Sequence, residues 1–216
     1  MTTYPGAPKL QRGGLVLMDP VTTAVSRVIS LQYNPETLNR SLQIKGVGEG
    51  GDRSEALRLK GPPVETYTLE AAIDATDRLE AGDAQARQTG LHAQLAALET
   101  LVYPTSAQLL SNDAQARQGV LEIAPMETPL ALFVWSQSRV VPVRVTDFSI
   151  TEEAFDPELN PIRAKVSLTL RVLSVDDLGF DHKGGSLFLI YQQHKERLAS
   201  LATPGLLGQL GLGGIP

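Results

Sequence analysis

The chain contains no cysteine. Disulfides, thiolate-bound zinc, iron–sulfur clusters and thiol nucleophiles are therefore excluded, and the redox compartment is left open. Aromatic residues make up only 5% of the sequence, with Trp135 the single tryptophan, so no series of rings is available for stacking nucleotide bases. Lys and Arg number 19 against 24 Asp and Glu; a net charge of -5 argues against nucleic acid or an anionic membrane as the main partner. No uncharged apolar run approaches the roughly 20 residues of a membrane helix, and MTTYPGAPKLQRGG lacks the apolar stretch of a signal peptide. A soluble chain that stays in the cytoplasm, without direct membrane insertion, is expected. The histidines at 92, 182 and 194 do not have metal-ligand spacing, and no Gly-x-Ser-x-Gly elbow occurs. Glu152, Glu153 and Asp156 would be the acidic groups of a hydrolase, but solvated carboxylates around a turn are the default. No catalytic, cofactor-binding or metal-binding residue is assigned, and the chain is not read as an enzyme.

What the chain does have is alternation. Arg139 to Val175 holds two long alternating arms joined by a Pro-punctuated turn, the pattern of a β-hairpin. In the second arm Ile162, Ala164, Val166, Leu168, Leu170 and Val172 fall on one face, with Arg163, Lys165, Ser167, Thr169 and Arg171 on the other. In the first, Val141, Val143 and Val145 hand over to Phe148 and Ile150, so a β-bulge is expected near Thr146 and Asp147. Asp156 to Pro161 reads as a rigid turn. The basic side, Arg163, Lys165 and Arg171, is either a solvated outer face or a contact for acidic groups of a neighbouring copy.

Further strands are read at Leu15–Met18, Ser26–Tyr33, Leu38–Lys45, Val64–Ala75, Val120–Ile123 and Leu130–Trp135. Asn34-Pro35 stops the second, because proline supplies no ladder donor. Gly46–Pro63 is a Gly-rich loop without the Gly-Lys-Ser/Thr ending of a phosphate loop. Leu91, Leu95, Leu98 and Val102 recur at helical spacing, the stripe of one helix packed on a sheet. Asp-Ala-Gln-Ala-Arg-Gln occurs at 83–88 and again at 113–118, but the flanks differ and no true repeat is read.

After Val175 a linker is expected, then a helix capped by Ser186 with Leu187, Ile190, Tyr191, His194, Leu198 and Leu201 on one side. The organisation expected is a flexible arm over 1–13, a β domain over 14–175, and a linker, amphipathic helix and Gly-rich tail over 176–216. Residues 186–216 are expected to be removable from a folded body. Mainly β (α+β) is the fold class: an antiparallel β-sandwich or barrel with one packed α-helix and a C-terminal helical tail.

Three stretches together resemble a known family. Val28-Ile29-Ser30-Leu31-Gln32-Tyr33-Asn34-Pro35-Glu36-Thr37-Leu38, Leu130–Ser136 with the strand that follows, and Thr151–Ala164 are similar to the tube-like baseplate proteins of contractile injection systems. These are the phage-tail-like particles that include the antifeeding prophages. The resemblance implies a tail-tube-like fold and a structural place in a hexameric ring that joins the inner tube to the spike hub. Its partners would be other copies of itself, tube, spike-hub and neighbouring baseplate or sheath proteins. Many members carry a C-terminal LysM module, whose place is taken here by one helix and a Gly-rich end.

Candidate assembly residues on this reading are Tyr33, Asn34, Pro35, Glu36, Trp135, Phe155, Arg163, Lys165, Arg171, Leu187, Tyr191, Leu198 and Leu201. The alternative is a β-rich module that binds peptide or glycan through Gly46–Pro63.

Overall fold

Alternation builds the longest strands of the structure, a computed structural model that describes residues 11–19, 22–46, 58–119, 128–205 and 207–215. The strands are β1 (Gly14–Met18), β2 (Val25–Ser30), β3 (Leu38–Gln43), β4 (Val64–Asp74), β5 (Leu130–Ser136), β6 (Arg139–Phe155) and β7 (Pro161–Val172). They form one seven-stranded antiparallel sheet in the order β2-β1-β5-β6-β7-β4-β3. The fold is α+β with more strand than helix. The expected strand at Val120–Ile123, most of the Gly46–Pro63 loop and nearly all of the N-terminal arm lie outside the described residues.

The ladder of β6 with β7 shifts register between Val145 and Asp147, where the change of phase placed a bulge. The residue passed over, Thr146, donates its hydroxyl to the Thr169 carbonyl at 3.2 Å. Ala164, Val166, Leu168, Leu170 and Val172 of β7 meet Tyr67, Leu69, Ala71 and Ile73 of β4 in one buried cluster, which also takes Leu15, Leu17, Phe133, Val141 and Val143. A smaller cluster of Met18, Leu130 and Leu132, joined by Val16 and Val140, uses the opposite parity of β1, β5 and β6, and so the other face of the sheet.

At the hairpin turn the Asp156 carboxylate accepts from the backbone N–H of Glu158 (2.9 Å) and Asn160 (2.7 Å) and from the Asn160 side-chain amide (2.8 Å). The Asn160 amide first, then these backbone donors, hold the Asp156 pKa below the usual carboxylate range.

Between β4 and β5 the chain forms several helices, not one: α1 (Thr76–Glu80), α2 (Ala84–Thr89), α3 (His92–Glu99) and α4 (Ser106–Arg117). Leu91, Leu95 and Leu98 reach the main cluster as the stripe predicted, but Val102 lies past the end of α3 and is exposed. Gly90, just before α3, has φ +52, and a Cβ there would strike the Pro161 carbonyl. That close approach lets the Leu91 N–H donate to the same carbonyl at 2.8 Å, tying the helices to the turn of the hairpin. Helix α4 opens with a capping box made by Thr105 and Gln108 and buries none of its residues. The two Asp-Ala-Gln-Ala-Arg-Gln hexapeptides sit differently: Asp83 caps α2, whereas the second copy is the end of α4.

The stretch read as a linker also folds. Ser174 caps a short helix α5 (Val175–Leu178), and α6 (Lys183–Ser200) begins three residues before the expected cap, with the His182 Nδ1 accepting from the Gly184 N–H at 3.0 Å. Gly184-Gly185 are the first turn of α6; a Cβ on Gly185 would collide with the Gly179 carbonyl, so the helix start packs against the end of α5 only because it is bare. The buried side of α6 carries Phe188 and Tyr191, both part of the main cluster, with Leu187 packed on the smaller one. It is turned from the expected side: Ile190, Leu198 and Leu201 are exposed.

Candidate assembly interface

Tyr191 does not face outward, as the reading of it as a contact for a partner requires. It is 3% exposed and closes a buried polar group at the edge of the core. Glu65 of β4 has the same parity as Tyr67, so its carboxylate points to the apolar side of the sheet. There Glu65 Oε1 accepts from the Tyr67 hydroxyl at 2.8 Å and from the Tyr191 hydroxyl at 2.7 Å, and the two hydroxyl oxygens are 2.8 Å apart. Lys195 reaches Glu65 Oε2 at 3.4 Å and lies over the Tyr191 ring, while Arg40 approaches from β3 at 3.8 Å. A buried carboxylate is tolerated when paired and fully hydrogen-bonded, as this one is. Burial pushes both tyrosine hydroxyls above their ordinary pKa, so they stay protonated as donors. The group fixes α6 to β4 and β3. Its sequence signal was Glu65 itself, a carboxylate on the buried parity of a strand.

The Tyr33-Asn34-Pro35-Glu36 stretch forms the turn after β2. Asn34 accepts from the Gly13 N–H at 2.8 Å and donates to the Gln11 carbonyl at 2.8 Å, so it clamps the chain entering β1. Just before it, Gln32 makes the same two-way pairing with the backbone of Asp74: its amide nitrogen donates to the Asp74 carbonyl at 2.8 Å and its oxygen accepts from the Asp74 N–H at 3.0 Å. This joins the end of β2 to the end of β4, two strands that share no ladder, so the sheet curls back on itself. Tyr33, Pro35, Glu36 and Thr37 line a groove with Glu70 and Ala72 of β4.

The basic residues of β7 find carboxylates within their own chain. Arg163 bonds Asp74 at 3.0 Å, Lys165 pairs with Glu153 at 3.1 Å, and Arg171 pairs with Asp177. Register sets Asp74 opposite Arg163 and Glu153 diagonal to Lys165, whereas Asp177 reaches Arg171 from α5. The bond from Thr76 and then the Arg163 guanidinium hold Asp74 below the usual carboxylate range. Glu152, Glu153 and Asp156 do not converge, and among the described residues no three His, Asp or Glu side chains are grouped to hold a metal.

Trp135 is half-buried, packed against Phe133 with ring centroids 5.8 Å apart and against Gly13, where a Cβ would press on the indole. Phe155 is half-exposed at the end of β6. Exposed apolar side chains include Val25 and Val28 on β2 and Leu42 on β3, the two strands that end the sheet, with Ile44 just beyond. Leu201, Leu207, Leu210, Leu212 and Ile215 continue that exposure after α6. Among the described residues no helix is long and apolar enough to cross a membrane.

A family model described as contractile injection system tube protein matches residues 17–178, from β1 to the end of α5. No curated protein matches the chain.

Proposed function

Since this chain belongs to the contractile injection system tube protein family, its role is structural, and we propose that it forms a hexameric ring in the baseplate that joins the inner tube to the spike hub. The supporting observation is the pair of sheet edges. Among the described residues β2 and β3 end the sheet, and they carry Val25, Val28 and Leu42 into solvent. An isolated subunit with two such edges is prone to edge-to-edge association; a closed ring of copies satisfies both edges. The exposed end of α6 and the segment after it, from Leu198 onward, would meet a tube, spike-hub or sheath neighbour. The particle would assemble in the cytoplasm.

Mass spectrometry of purified particles tests this. The chain should be present at one ring per particle, whatever the particle's length. A copy number that grows with length would make it a tube subunit and remove the baseplate assignment, and absence from intact particles would remove the whole proposal.

A further inference from the structure

The tip of the hairpin between β6 and β7 is strained, tied down and apolar at its end. Ala154 (φ 51) and Leu159 (φ 66) both hold left-handed backbone, which a residue with a Cβ resists. The bonds to the Asp156 carboxylate, and the one from the Leu91 N–H to the Pro161 carbonyl, hold the tip in this shape against that resistance. Such strain persists only where the surroundings impose it, and it is concentrated at functional sites. Its effect here is display. Phe155 is 50% exposed and Leu159 76%, a pair of large apolar side chains held out on a fixed turn. The stretch from Glu152 to Glu158 carries Glu152, Glu153, Asp156 and Glu158 and no cation.

A matching socket lies on the same chain. A pocket of about 480 Å3 opens between β2, the end of β4 and α3, with Ile29, Leu31, Ile73 and Leu98 as its floor. Arg12, Arg27 and Arg78 line it, against one carboxylate, Asp77. Arg78 is held by Asp83 at 2.7 Å, and Arg27 donates to the Thr100 hydroxyl at 3.2 Å. Among the described residues neither Arg12 nor Arg27 makes an ion pair. The tip does not enter the pocket of its own subunit, since Phe155 and Leu159 face solvent. An apolar knob in an acidic stretch and an apolar socket with a basic rim are complementary in both respects that select a partner.

We propose that the hairpin tip of one copy inserts Phe155 and Leu159 into this pocket of a second copy, with Glu158 and its neighbours set against Arg12 and Arg27. The contact rests on the ring reading above and names one of the joints in it. Knob and socket are different surfaces, so each copy gives its tip to one neighbour and receives the tip of the other, the head-to-tail arrangement from which a ring closes. A tip already fixed in its docked shape loses little freedom on binding.

The chain has no cysteine, so any disulfide reports engineered positions alone. Leu159→Cys combined with Ala97→Cys puts one thiol on the knob and one in the lining of the socket. The full-length variant is oxidised both in intact particles and as the purified chain. Bonds between copies should appear as a ladder of multimers on a non-reducing gel, whereas Leu159→Cys combined with Ser138→Cys should give background only. In the first pair, Glu158→Arg or Arg27→Glu should lower the yield about tenfold, because like charges then face each other, and the two reversals together should restore it. Phe155→Cys with Gln94→Cys repeats the measurement should the first pair not fold.

Absence of the ladder from both samples, or a ladder equal to that of the control pair, would overturn the proposal. A double reversal no better than the single ones would overturn it as well. A chain present at one ring per particle but without the ladder would remove this contact and keep the ring. A ladder from the purified chain, with the chain missing from particles, would keep the contact and remove the ring.

Discussion

The two faces of the sheet formed by β4, β7 and β6 share strands and ladders but are held in different ways. On one side Leu168, Leu170 and Val166 are completely enclosed by Tyr67, Leu69 and the helices, and removal of apolar surface from water dominates. On the other, Thr68 and Ser149 stand in water while Ser167 and Thr169 are half-buried, and stability rests on backbone pairing and β-branched fit. One residue of register slip would exchange the two sets, so the apolar face fixes the register and the polar face is left open to other demands.

The contrast is broken most severely by deleting residues 186–216. Phe188 and Tyr191 leave the core, and Glu65 keeps its buried place without its partners from α6. Loss of a single cooperative thermal transition is expected, and a truncated body that unfolds sharply near the wild-type temperature would mean α6 is an appendage.

Leu168→Ala on the enclosed side should cost about 2–5 kcal/mol in denaturant unfolding, the range for truncating a buried leucine. Tyr191→Phe is smaller: it removes one donor to a buried carboxylate, about 1–3 kcal/mol. Thr169→Ala, on the wetted side, should shift stability by no more than about 0.5 kcal/mol. A cost for Thr169→Ala equal to that of Leu168→Ala would erase the distinction between the faces.

The buried hydroxyls give the comparison a pH dependence. Tyr67 and Tyr191 have folded pKa values raised above the unfolded value of about 10. Their contribution is therefore complete below that pH and is lost as pH rises toward the folded values. Alkaline titration followed by tyrosinate absorbance should show two of the five tyrosines ionising only as the protein unfolds. Free titration of all five near the ordinary value would remove the buried network.

The parts of the fold written in period two were open to reading from the residues. β4 and β7 alternate without interruption, and the change of phase after Val145 located the bulge because only an extra residue can keep both halves of β6 facing the core. Elements defined by end chemistry were harder to see. Thr105-x-x-Gln108 and Ser174-x-x-Asp177 are capping boxes, but α4 has no apolar stripe behind it and α5 is a single turn, so nothing periodic drew attention to them. Gly184-Gly185 reads as a linker because glycine usually loosens a chain; here it permits contact with the Gly179 carbonyl, which depends on where α5 ends.

The assembly candidates divided on similar grounds. Burial of Tyr191 depends on Glu65, more than a hundred residues earlier, and no local pattern reports it. Phe188, one turn before Tyr191, falls outside the apolar stripe that runs through Leu187 and Ile190. Asn34 stood out as part of Asn-Pro-Glu, but its clamp on Gln11 and Gly13 is visible only once β1 lies beside β2.

The union of Gln32 with Asp74 has a mechanical consequence. Every join between neighbouring strands of the sheet is a ladder, whereas β2 and β4, which share none, are held by the Gln32 side chain and by Ile29 and Leu31 against the main cluster. Releasing the Gln32 pairing leaves every strand ladder intact but costs more than its two hydrogen bonds, because the adjacent Leu31 is buried in the main cluster with Ala71 and Ile73. The curl of the sheet is therefore held by a side-chain clasp and a buried apolar contact of the chain's own, and both would have to yield before its curvature could change.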